Sequence, residues 1–284
     1  MAGSVALALA LSACGGTGKS STTTSNSSSS SASGFNAAVT SIVNPSDKKG
    51  GTLKFETSQD ADSWDPAIGY YAFVWDMERD YTRTLLTYKV APGKEGLTLV
   101  PDLAQALPTI SADKLTYTFK LKPNIKYEDG SVVKSEDIKY GIERNFAQDV
   151  LAGGPLYMIQ EFDQGQNYPG PYKDTDPNKM GLKSIETPDD TTVVFHLKTP
   201  FSDLAYQMAM GITAPVPPAK DTGDKYALHP FSSGPYKFES ISPGKGAKLV
   251  RNTYWDASTD TVRKALPDAI EITVSTGGDD VDNR

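Results

Sequence analysis

Between Leu115 and Leu121 apolar and polar residues alternate without a break. Leu115, Tyr117, Phe119 and Leu121 fall on one side, and Thr116, Thr118 and Lys120 on the other. That period of two predicts a strand with one buried face. Pro123 and Asn124 end it, Ile125 to Tyr127 starts a short second strand, and Glu128-Asp129-Gly130 supplies a tight turn. Ser135 then stands as N-cap before Glu136 and Asp137, two acids placed against a helix N-terminus. Ile138, Ile142 and Phe146 follow at four-residue spacing and give that helix one apolar stripe.

The same patterning recurs on both sides. Gly50 to Phe55 predicts a strand, and Phe73, Met77, Tyr81 and Leu85 predict a helix ending near Leu86. Gly181 to Glu186 predicts a strand and Asp189-Asp190-Thr191 a turn. In the next strand Val193, Phe195 and Leu197 face inward and His196 outward. Pro243 to Gly246 turns a hairpin that returns through Leu249 to Asn252.

This order resembles the family 5 extracellular solute-binding proteins, the peptide-binding components of ABC importers. Their signature is matched by Pro101-Asp102-Leu103-Ala104, Thr116-Tyr117-Thr118-Phe119, Asp129-Gly130, Ser135-Glu136-Asp137-Ile138 and Glu143-Arg144. Leu107 stands where Trp is common, and Gly141 where a small hydroxyl residue is usual. Ser63-Trp64-Asp65-Pro66, Ser233-Gly234-Pro235-Tyr236, Tyr254-Trp255 and Pro267-Asp268-Ala269-Ile270 match further family positions. The resemblance runs from about Gly50 to Arg284, which is about the first half of a usual member.

The resemblance implies an α/β fold of the type II periplasmic-binding-protein kind, with mixed sheets, flanking helices and an inserted small lobe. The expected division is 50–88 for the first part of the first lobe and 89–186 for the small lobe. Residues 187–270 would complete the first lobe, and 271–284 would start a second large lobe cut short at Arg284. Family members bind ligand in a cleft between lobes and contact the ligand backbone from the loop that here holds Gly69, Tyr70 and Tyr71. Tyr157 matches an aromatic position over that cleft. Ser233 and Gly234 lie where the chain returns to the first lobe, with Gly234 expected to use a positive φ. The carboxylate that holds a ligand's amino terminus generally comes from the part beyond Arg284.

The chain start adds a location. Val5 to Leu11 is apolar and too short to cross a bilayer, and Leu11-Ser12-Ala13-Cys14 resembles a lipobox. Residues 1–14 are therefore expected to be a lipoprotein signal, although no Lys or Arg precedes the apolar run. Cys14 would be the lipid-attachment residue, since a thiol is needed for the thioether to diacylglycerol. Residues 15–49, rich in Ser and Thr, are expected to be a flexible tether. The expected location is the outer face of a bacterial cytoplasmic membrane, or the periplasm of a Gram-negative cell.

Composition and motifs narrow the function classes. A net charge of −7 over 284 residues argues against non-specific nucleic-acid binding, which needs a basic face. Gly18-Lys19-Ser20 ends like a phosphate-binding loop, but Ala13 stands where Gly is required, and no strand precedes it. Asn26-Ser27-Ser28 is a formal glycosylation sequon in a tether. Asp174 to Asn178 has the acids of a calcium loop, yet Lys179 takes the Gly position and Ile185 the bidentate Glu position, so a solvated loop is expected.

A secreted hydrolase would need a carboxylate pair such as Asp60 with Asp62 or Asp189 with Asp190. Adjacent acids of that kind usually mark turns, and no nucleophile elbow or zincin motif is present. The expected function is therefore a non-catalytic one: capture of extracellular peptides and delivery to an ABC permease, by a monomer without a cofactor. Family resemblance leaves open a sugar, chelated nickel or haem as cargo, or a remnant that binds nothing. With only His196 and His229, and Cys14 committed to lipid, direct ligation of a soft metal is not expected.

Overall fold

Three sheets and four helices organise residues 39–42 and 45–275, which the computed structural model describes. Cys14, most of the tether and the end of the chain lie outside the described residues.

The first sheet joins distant parts of the chain. Strand β1 (Thr52–Thr57) leads through a loop into helix α1 (Ala72–Tyr81). A two-stranded sheet follows, of β2 (Leu86–Tyr88) and β3 (Leu99–Pro101). The second large sheet begins with β4 (Thr109–Ile110) and β5 (Thr116–Lys120). Helices α2 (Ser135–Arg144) and α3 (Tyr157–Phe162) come next, then β6 (Ile185–Asp189), β7 (Thr192–His196) and the short α4 (Leu204–Gln207). The chain then closes the first sheet with β8 (Tyr236–Ser242), β9 (Gly246–Arg251) and β10 (Ala269–Val274). Strand order is β1-β10-β9-β8 in the first sheet, with β1 and β10 parallel, and β4-β5-β7-β6 in the wholly antiparallel second one.

Each of the two large sheets has its own core. Trp64, Val74, Tyr81, Phe238, Leu249, Ile270 and Ile272 pack α1 onto the first sheet. Tyr117, Phe119, Val193 and Phe195 face α2 and α3 through Ile138, Ile142, Met158 and Phe162. The alternation of β5 and the stripe of α2 are thus two halves of one packed surface.

Several local expectations shift. Ile125 and Tyr127 are buried, but the stretch makes one isolated bridge, Lys126 to Val132, instead of a strand. Ser135 is the first helical residue and not the cap. Asp137 reaches back to accept the Lys134 backbone N–H at 2.8 Å, while Ser135 Oγ donates to the Asp189 carbonyl at 2.6 Å and docks the helix on the β6–β7 turn. Helix α1 stops at Tyr81, because Thr82 turns extended and carries Arg83 into a buried charge cluster. The β6–β7 hairpin belongs wholly to the second sheet. Asp174 is buried instead of solvated, accepting from Tyr168 Oη at 2.8 Å and from the Gly181 N–H at 2.7 Å.

The Gly141 departure also has a structural reason: a Cβ there would lie 2.1 Å from the Ala214 carbonyl oxygen. A hydroxyl side chain cannot fit unless that backbone retreats.

Glu143 makes the stability of this region depend on pH. It is buried on α2 and accepts the Leu182 N–H at 3.0 Å. Burial pushes its carboxyl up to about 8 from the ordinary 4.5. Between those values the folded state holds a proton that the unfolded state has lost, so stability falls as pH rises. Asp80 and Asp137, each pushed by burial up to about 6, act in the same direction but are spent earlier. Glu143→Gln keeps the acceptor for Leu182. Urea midpoints of the variant are expected to fall less between pH 6.5 and 8, by up to one proton's slope, about 1.4 kcal/mol per pH unit. Identical slopes for the two proteins would contradict this.

Candidate functional site

The loop from Trp64 to Tyr71 is fixed from below. Asp65 is fully buried and receives both Arg144 guanidinium nitrogens, at 2.8 and 2.7 Å. The same carboxylate accepts the Ala67 N–H, and the Asp65 carbonyl accepts the N–H groups of Ile68 and Gly69. Gly69 is buried, and a Cβ there would come within 2.8 Å of the Ser63 carbonyl oxygen. Its own carbonyl accepts the Trp75 indole N–H at 2.9 Å. Asp62 accepts the N–H groups of Tyr70 and Tyr71, at 2.7 and 3.2 Å. Every N–H from Gly69 to Tyr71 is therefore already donated inside the protein. What the loop offers a ligand is chiefly the two phenols, which are 46% and 42% exposed.

A second segment meets this loop. Gly154 passes so close to Ala67 that a Cβ would stand 2.2 Å from its carbonyl oxygen. That approach sets the N-terminus of α3 beside the loop, and Tyr157 Oη lies 2.6 Å from Tyr70 Oη across 87 residues of chain. The hydrogen bond it shares with Tyr70 holds the Tyr157 phenol above its ordinary pKa. The Tyr70 ring also meets Trp75 edge-on at 5.0 Å, and Tyr71 tilts against Phe73 at 6.2 Å. Tyr70 and Tyr157 thus meet through their hydroxyls, with Tyr71 exposed next along the same loop and Gly69 buried beneath it.

Ser233 and Gly234 do not join them. Ser233 is buried, and its Oγ accepts the Arg83 N–H at 3.0 Å. Both residues donate their N–H to the Tyr81 carbonyl. Gly234 does not have the expected positive φ. It is required by close approach, since a Cβ would lie 2.6 Å from the Asp80 carbonyl oxygen. These two residues clamp the end of α1 and present no surface to a ligand.

Beside the aromatic surface lies a cavity of about 490 Å³, walled in part by Trp75, Glu78, Tyr88, Tyr206, Gln207 and Met210. None of these was singled out by the sequence reading. Glu78 is hidden by the four-residue spacing, which puts Phe73 and Met77 on the inward face where the structure buries Val74 and Glu78. Asp62 stands in the sequence only as one of a pair of acids that mark a turn, and its role in holding the Tyr70 and Tyr71 N–H groups has no local signal.

Comparison with known proteins decides the family. Residues 98–283 match the model of the bacterial extracellular solute-binding proteins, family 5 middle region. The chain belongs to this family. The oligopeptide-binding protein SarA of Streptococcus gordonii is 32% identical over 171 residues, 56% of this chain and 25% of its own. The glutathione-binding protein GsiB of Pectobacterium atrosepticum is 30% identical over 151 residues, covering 52% of this chain and 25% of its own.

Among solved structures, the clavulanic acid biosynthesis oligopeptide binding protein 2 superposes with a TM-score of 0.84 at 43% identity. That match covers 88% of this chain and 45% of the other. A peptide-bound Listeria monocytogenes OppA superposes at 0.66 with 22% identity, covering 81% of this chain and 43% of its own, a likeness of fold. The fold is the mixed α/β type II binding fold of family 5, as expected from the signature stretch. The chain spans about a quarter of the length of these curated relatives and under half of these solved ones.

Proposed function

We propose that this chain carries part of a peptide-binding cleft, in the substrate-binding component of a bacterial ABC importer. The observation that carries the proposal is the meeting of Tyr70 and Tyr157, two exposed or half-exposed phenols, the first of them on a loop whose own N–H groups are satisfied internally. Tyr faces give contact area at low entropy cost, and their hydroxyls donate to and accept from a peptide's main chain without selecting side chains. The binding named for SarA and for the oligopeptide binding protein 2 supports a peptide as ligand. The small lobe would comprise β4 to β7 with α2 and α3, and the first lobe the β1-β10-β9-β8 sheet with α1. A further lobe closing over the ligand by a hinge would complete the cleft.

Cys14 would anchor the protein through lipid to the outer face of the membrane, where it would act as a monomer delivering ligand to the permease. No catalytic step is required of it.

The binding reading is tested by titrating the full-length chain with a mixture of short peptides by calorimetry. Tyr70→Ala and Tyr157→Ala are each expected to weaken binding about tenfold, roughly 1.4 kcal/mol. Tyr70→Phe, which keeps the ring and loses one hydroxyl, is expected to cost less. Unchanged affinity in both alanine variants would remove the site from this surface.

A further inference from the structure

Two side chains that line the cavity beside the tyrosines carry acceptors that no described residue satisfies. Glu78 is 2% exposed, and its Oε1 has no hydrogen-bond partner among the described residues; Gln207 Oε1, on α4, has none among them either. Buried acceptors without donors are costly and uncommon in folded proteins. Gly211 is what lets the acid sit there, since a Cβ at that position would overlap Glu78 Oε2. The remaining walls are largely apolar and aromatic, with Trp75, Tyr88, Tyr206 and Met210 around the two acceptors. A volume of about 490 Å³ falls in the range of small-molecule sites.

The charges around the cavity select the sign of a ligand. Arg263 lines it, but its guanidinium is held by Asp102 at 2.7 Å and Asp260 at 3.0 Å, while Arg83 pairs with the same Asp102. Those four groups neutralise one another. On the exposed rim Asp76, Arg79 and Asp203 have no ion pair among the described residues and leave one negative charge in excess. Burial, with Asp65 and Asp62 nearby, pushes the Glu78 carboxyl well above the usual carboxylate range, and a cation seated against it would draw it back toward the charged form. A ligand with N–H donors and positive charge would satisfy the acceptors, balance the rim and lie against aromatic faces that attract cations.

We propose that this cavity is a binding site for a protonated primary amine carried on a small apolar body, with Glu78 and Gln207 as its acceptors. The site is separate from the Tyr70–Tyr157 surface and touches it through Trp75.

The test uses benzylamine, cationic at neutral pH, and benzyl alcohol as its uncharged counterpart. Binding to the full-length chain is read from the Met210 methyl resonance, assigned through Met210→Leu. Benzylamine is expected to shift that signal saturably and benzyl alcohol to bind at least roughly tenfold more weakly. Glu78→Gln, which keeps size and removes the acid, is expected to lose at least tenfold in benzylamine affinity, and Gln207→Ala a smaller factor. Equal binding of amine and alcohol to the unchanged protein would overturn the proposal, whether or not Glu78→Gln folds. So would the absence of a saturable shift through millimolar amine, or full affinity in a folded Glu78→Gln. Peptide binding at the tyrosines is measured separately by calorimetry, so either reading can fail while the other stands.

Discussion

Arg144→Met is expected to lower the stability of the protein by about 3–5 kcal/mol. The side chain is fully buried, donates two hydrogen bonds to Asp65, approaches Asp221 with Nε at 3.2 Å and lies 4.5 Å over the Tyr226 ring. Methionine has a comparable apolar stem, so the loss isolates the charge. Two carboxylates would remain inside the protein without their cation, and leaving buried charge unpaired costs far more than the intact pair contributes. The effect also reaches the site, because Asp65 holds the turn that presents Gly69 to Tyr71. Urea unfolding should show a lower midpoint with an unchanged slope, and peptide affinity should fall with it. A loss below about 1 kcal/mol would show that Asp65 is held by its backbone donors alone.

Asp102→Ala is expected to cost a similar amount, again about 3–5 kcal/mol. Asp102 is 1% exposed and accepts Arg83 Nε on one oxygen and an Arg263 nitrogen on the other, each at 2.7 Å. Its removal leaves two buried guanidinium groups to share Asp260, which is 4.0 Å from Arg83 and 3.0 Å from Arg263. The exposed pair Lys89–Glu95 at 2.5 Å supplies the contrast. Glu95→Ala there is expected to leave the denaturant midpoint almost unchanged, since solvent and side-chain entropy offset such pairs. Equal effects at the two sites, read from denaturant midpoints, would contradict this ranking.

These two residues show what the sequence makes legible and what it hides. Asp102 and Arg144 stand out as members of recognisable motifs, yet their partners lie 19 and 79 residues away and no local pattern names them. Strand β5, helix α2 and the β8–β9 hairpin follow from periodicity because burial of one face dictates it. The stretch from Ile125 to Tyr127 misleads for the same reason: its buried side chains alternate as in a strand, but its backbone finds one bridge.

Tyr70, Tyr71 and Tyr157 were reachable through resemblance, and the structure brings Tyr70 and Tyr157 into contact. Ser233 and Gly234 share a motif with ligand-facing positions, but serve the packing of α1 instead. Glycine looks the same in a sequence whether it is kept for φ or for close approach, and only the position of Asp80 tells them apart. The Glu78 cavity depends on three segments meeting, which periodicity does not encode.

The most direct test of the peptide-cleft account is photocrosslinking. A short peptide bearing a benzophenone side chain is bound to the full-length chain, irradiated, and the attachment sites are mapped by mass spectrometry. Crosslinks at Tyr70, Tyr71 and Tyr157 that disappear with excess unlabelled peptide are the expected result. Competable crosslinks confined to residues away from this surface, or none that unlabelled peptide displaces, would contradict it.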